Sequence, residues 1–104
     1  MKRAWVIASA LCLSACGGDP RAEGIAALEG DAASGAAIYS ANCASCHGDD
    51  GTGGSGPALV GEVDEPSDVE LATKILNGGL VMPGFADELG DQDVADLISF
   101  MRDL

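Results

Sequence analysis

At 104 residues and a formal net charge of −12, the chain has room for one small domain. It carries the wrong sign to hold nucleic acid or anionic headgroups by charge. One Trp, one Tyr and two Phe are too few to fill an ordinary core, so the domain needs some further staple to stay folded.

The chain opens with Lys2 and Arg3 and an apolar run, Ala4 to Leu13, shorter than the roughly 20 residues a membrane-spanning helix requires. The run ends in Leu13-Ser14-Ala15-Cys16, which resembles the lipobox of bacterial lipoproteins. That resemblance implies a signal peptide over 1–15 and a lipidated Cys16, whose diacylglyceryl and N-acyl chains together give stable anchoring. It also implies export to the periplasmic side of a membrane, and Gly17 in place of Asp fits sorting to the outer membrane. The alternative is an ordinary signal peptide with Cys16 a bystander; Cys12 leaves with the leader either way. Beyond the leader only Arg21, Lys74 and Arg102 are basic, against 17 acids. This balance suits a partner with a basic docking surface, or simply keeps the protein soluble.

Residues 16–30 hold several breakers and no strong period, and read as a lipidated N-terminus followed by a flexible linker. The domain is expected over 31–104, with three helices separated by glycine-rich loops. The first runs from Asp31, its N-cap, to Cys43, and holds Gly35 and Tyr39 on one face. A glycine inside a helix costs about 1 kcal/mol and signals another backbone passing close by. The second starts at Pro66 with a capping box between Ser67 and Glu70, and stops at Asn77-Gly78-Gly79. The third has Asp91 as its cap and places Val94, Leu97, Ile98 and Met101 at i, i+3, i+4 and i+7. No stretch alternates apolar and polar residues for long enough to suggest strands, so the fold class is all-α.

The chemistry is carried by Cys43-Ala44-Ser45-Cys46-His47. Cysteines at i and i+3 lie about one helical turn apart, within reach of two vinyl groups on one edge of a porphyrin. The histidine after them can then ligate the iron from below. A zinc site would need more Cys or His ligands than the chain offers, and a thioredoxin-like pair needs a strand–helix context that is absent. The reading is one covalent haem c per chain, attached through Cys43 and Cys46, with His47 as proximal ligand. His47 is the only histidine, so the sixth ligand comes from elsewhere. Met82 stands in a loop, its backbone restricted by Pro83, and its soft thioether favours Fe(II). Met101 lies on the apolar stripe of the last helix and fits a core role. Lys74, the other nitrogen donor, belongs to a helix expected to face solvent there.

In its order of motifs the chain resembles the small class I c-type cytochromes of bacteria, of the c-551/c-553 kind or the haem subunit of cbb3-type oxidases. The matching pieces are Gly35 with Ile38-Tyr39, Asn42 to Gly48, Gly56-Pro57-Ala58-Leu59, Gly79 to Phe85, and Val94 to Met101. The resemblance implies the class I cytochrome c fold wrapped around one haem, with Cys43 and Cys46 as thioethers and His47 and Met82 as axial ligands. It implies that the carbonyl of Pro57 accepts a hydrogen bond from the far nitrogen of His47, and that Gly35 and Tyr39 cross the last helix near Leu97 and Phe100. The scarcity of lysine departs from familiar members, which dock through a lysine ring.

The expected function is a lipid-anchored, monomeric, one-electron carrier between redox proteins, with no substrate chemistry of its own. One rival is a haem subunit docked permanently on a membrane oxidoreductase. Another is a five-coordinate haem that senses gases or acts on peroxide, which requires that Met82 not ligate.

Overall fold

The computed structural model describes residues 19–79 and 81–104, and the leader with its lipobox lies outside them. Five helices and no strands occur among the described residues: α1 (Pro20–Ala26), α2 (Ala32–Asn42), α3 (Ala44–His47), α4 (Asp68–Asn77) and α5 (Asp91–Arg102). The three expected helices are α2, α4 and α5.

Helix α2 crosses α5 so closely that a Cβ on Gly35 would collide with the carbonyl of Asp96 and lie 2.9 Å from Cβ of Phe100. Gly35 is thus the notch through which the two backbones pass, as its place inside a helix suggested. One turn along, the Tyr39 and Phe100 rings sit 5.1 Å apart at 45°, a tilted arrangement that aromatic quadrupoles favour. Asp96 is buried, and its carboxylate accepts from the Asp31 backbone N–H at 2.8 Å and from Gln92 Nε2 at 2.9 Å. A carboxylate so paired ties the start of α2 to the middle of α5 without an orphaned charge.

The capping signals are local and mostly hold. Asp31 accepts from Ala33 N at the start of α2. Ser67 and Glu70 form the expected reciprocal box, at 3.1 and 2.9 Å. At α5 the cap moves one residue earlier, to Gly90, and Asp93 rather than Asp91 reaches back to the Gly90 N–H at 3.0 Å. Asp91 is occupied elsewhere, since its carboxylate takes Arg21 Nε at 2.6 Å.

That same contact revises the expected linker over 16–30. From Pro20 onward the chain is folded: Asp19 caps α1, Ala22 and Ile25 are buried, and Arg21 also donates to the carbonyls of Ala86 (2.7 Å) and Leu89 (2.8 Å). The helix is too short to be stable alone. It persists because Ile25 fills the core and Arg21 clamps a loop distant in sequence.

Candidate functional site

Helix α3 is the Cys-Ala-Ser-Cys-His segment with its first cysteine left off. It begins where α2 ends, and the backbone N–H of His47 donates to Cys43 O at 3.0 Å. Both cysteines are unbridged; Cys43 is buried and Cys46 exposed. The glycine-rich loop that follows folds back on this turn, Gly53 N donating to His47 O at 2.8 Å and Gly56 N to Cys46 O at 2.7 Å. This return brings the Pro57 carbonyl to 2.7 Å from His47 Nδ1. A carbonyl can only accept, so Nδ1 carries the hydrogen and Nε2 keeps its lone pair free for a metal. The hydrogen bond implied by the family resemblance is therefore present in the protein's own geometry.

Met82 is placed by a second loop return. Gly78 ends α4 with φ +71°, a conformation that favours glycine. Gly79 N donates to Met82 O at 2.9 Å, and Phe85 N donates to Ile75 O at 2.9 Å. The chain leaving Met82 thus runs back along the end of α4, which fixes where the methionine stands.

Between these two loops lie adjoining cavities of about 440 and 400 Å³. Cys43, His47, Pro57 and Met82 line both, and Cys46 lines the smaller. The five domain residues expected at the site therefore lie on the walls of these two adjoining cavities, four of them on both, whereas Cys16 lies outside the described residues. The rest of the larger wall is mainly apolar: Leu59, Val63, Leu71, Ile75 and Phe85 among others. A space of this size, nearly all apolar with a few converging donors, suits a flat hydrophobic ligand of porphyrin dimensions.

Electrostatics weigh against thiolate chemistry at Cys43. Burial, and then the neighbouring Cys46, push the Cys43 thiol up to about 11. Thiolates that bind zinc or exchange disulfides are shifted the other way. The Tyr39 phenol is raised as well, chiefly by burial and then by Cys43, Asp50 and Asp49. It stays a neutral donor and gives its hydrogen bond to Gly48 O at 2.7 Å, bracing the residue after the histidine.

Two wall residues differ from expectation. Met101 is buried in the core, as its stripe position required, but it also faces the larger cavity. Lys74 is exposed yet lines that cavity as well, rather than only facing solvent. Its one sequence signal is its spacing: Leu71, Lys74 and Ile75 share the inner face of α4.

Residues 30–101 match the family model described as cytochrome C oxidase, cbb3-type, subunit III. A cytochrome c-553-like protein from Synechocystis sp. is 38% identical over 87 residues, covering 83% of this chain and 81% of that one. A cytochrome c6 from Picosynechococcus sp. is 33% identical, covering 77% and 79%. The cytochrome c subunit of a quinone alcohol dehydrogenase from Gluconobacter oxydans is 38% identical over 70% of this chain but only 18% of its own length. Among solved structures, cytochrome cL from Hyphomicrobium denitrificans superimposes with a TM-score of 0.60 at 26% identity, covering 68% of this chain and 45% of that one. With the Cys-x-x-Cys-His turn, the oriented histidine and the methionine loop around one apolar cavity, the chain belongs to the class I cytochrome c family.

Proposed function

We propose that the chain is a one-electron carrier with a single haem c held through Cys43 and Cys46, with His47 Nε2 and Met82 as the iron ligands. The observation that carries this is the Nδ1 hydrogen bond to Pro57, which leaves the other ring nitrogen as the donor on a wall that also holds Met82. A haem in that cavity supplies an Fe(III)/Fe(II) couple at a potential that thioether ligation raises. Pro57 orients the histidine, the apolar wall excludes water, and the Gly79 N–H bond to the Met82 carbonyl holds the methionine's backbone beside the end of α4.

The test is the optical spectrum of the oxidised protein scanned into the far red, followed by reduction and exposure to CO. A weak sulfur-to-iron band with no CO response is the expected result. Immediate CO binding would mean an open coordination position, and would move the reading to ligand sensing or catalysis.

The lipid anchor at Cys16 and a periplasmic, outer-membrane position complete the reading. Because α1 is packed, only Gly17, Gly18 and Asp19 separate Cys16 from folded chain, a reach of about 11 Å at full extension. An anchored domain would then work close to its membrane and favour partners on the same surface. No helix among the described residues is long and apolar enough to cross a membrane.

A second reading is a haem subunit docked on a larger oxidoreductase. It is favoured by relatives named as cytochrome c subunits of alcohol and gluconate dehydrogenases. Copurification in mild detergent distinguishes the two, since a subunit brings its partner and a shuttle comes alone.

A further inference from the structure

The described residues contain three cations, and two are fully engaged. Arg21 binds Asp91 and two carbonyls. Arg102 binds Asp68 at 2.6 Å, Pro66 O at 2.8 Å and Val63 O, pinning the loop before α4. The Lys74 side chain has no acidic partner or hydrogen bond among the described residues. It lies on the wall of the larger cavity, where its neighbours on α4, Leu71 and Ile75, are apolar. Its Nζ folds against the start of the methionine loop, where a Cβ on Gly79 would stand 2.5 Å away.

Although exposed, this ammonium lines the same cavity as His47 and Met82, so its charge acts on that space at short range, weakened by solvent. The rest of the chain carries 17 acids, whose summed field favours the more positive, oxidised state of any bound redox centre. Lys74 opposes that field at the one place where it counts.

We propose that Lys74 sets the haem potential by charge: its ammonium on the cavity wall favours the reduced state. The step is a single electron from a reduced one-electron donor protein to Fe(III), giving Fe(II). No proton moves in this step. A purely structural rival is that Lys74 only complements the C-terminal end of the α4 dipole. The proposal rests on haem binding in this cavity; failure of the unaltered protein to hold haem would remove that reading, not this one alone.

The experiment is potentiometric titration of haem-loaded wild type, Lys74→Met, Lys74→Arg and Lys74→Glu, at low and high salt, with the far-red band recorded for each. Lys74→Met keeps the apolar stem and removes the charge. It is expected to weaken reduction about fivefold, equal to about 40 mV at 59 mV per tenfold for one electron. Lys74→Glu should lower the potential further and Lys74→Arg should restore it, with smaller differences at high salt. The far-red band should persist in all four. An unchanged potential in Lys74→Met overturns the proposal. So does an equal fall in Lys74→Arg, or a fall accompanied by loss of the sulfur band, since either would show a role in shape rather than charge.

Discussion

His47 and Met82 acquire their candidate roles from quite different local physics. The histidine is positioned by covalent neighbours one turn away and by a carbonyl delivered by the next loop. Two buried or half-buried methionines face the same cavity, Met82 and Met101, and their substitutions should separate. Met82→Ala is expected to lower the potential and admit CO, with little loss of stability. Met101→Ala should cost about 2–4 kcal/mol in denaturant unfolding, as for a buried methionine truncated in a core, while leaving the spectrum unchanged. Exchange of the two phenotypes would overturn the distal assignment.

The two cysteines should also separate under conditions where the haem-free chain keeps this fold. Cys43 is buried with its thiol pushed up to about 11, whereas Cys46 is exposed. Iodoacetamide at pH 8 is expected to label Cys46 first, as read by peptide mass. The sign for stability follows from the raised value. The folded chain favours the neutral thiol, so that contribution is complete below pH 9 and is lost as the pH rises from 9.0 toward 11. Equal labelling rates would show that Cys43 is not shielded.

At the scale of elements, the crossing of α2 and α5 is the joint on which the site hangs, because α2 leads directly into the cysteine turn. Gly35→Ala forces a methyl into the Asp96 carbonyl and must push the helices apart. The expected cost is about 3 kcal/mol, the upper range for overpacking, measured by thermal or denaturant unfolding of the haem-loaded protein. A stability equal to wild type would mean that the helices are free to slide. Ser67 and Glu70, by contrast, were legible as a pair because a capping box depends only on residues three apart. The cap of α5 was not, because Asp91 was drawn away by Arg21, a residue 70 positions earlier.

For the molecule as a whole, helix α1 changes how the domain would meet a membrane. A packed helix starting at Pro20 shortens the tether expected over 16–30 to three residues past Cys16. Inserting a flexible 20-residue Gly/Ser segment between Gly18 and Asp19 should therefore matter. In proteoliposomes, the extended protein is expected to reduce a soluble acceptor as fast as wild type. It should exchange electrons with a bilayer-bound partner more slowly, because the longer tether lowers their effective concentration. An unchanged ratio of the two rates would show that anchoring does not confine the domain.

The sequence alone determined the all-α class, the three principal helices, the close pass at Gly35 and the residues gathered at the cavity. Each depends on spacing within a few residues or on one motif, and such signals survive without tertiary context. Only the folded structure decided that residues 20–26 form a helix, that Asp91 serves Arg21, and that Lys74 lines the cavity. Those outcomes depend on groups brought together from opposite ends of the chain. Burial of Ile25 and the hydrogen bonds of Arg21 reward a helix that local propensity does not favour. The inward face of α4 is covered by α1 and α5, and its C-terminal end by the returning methionine loop.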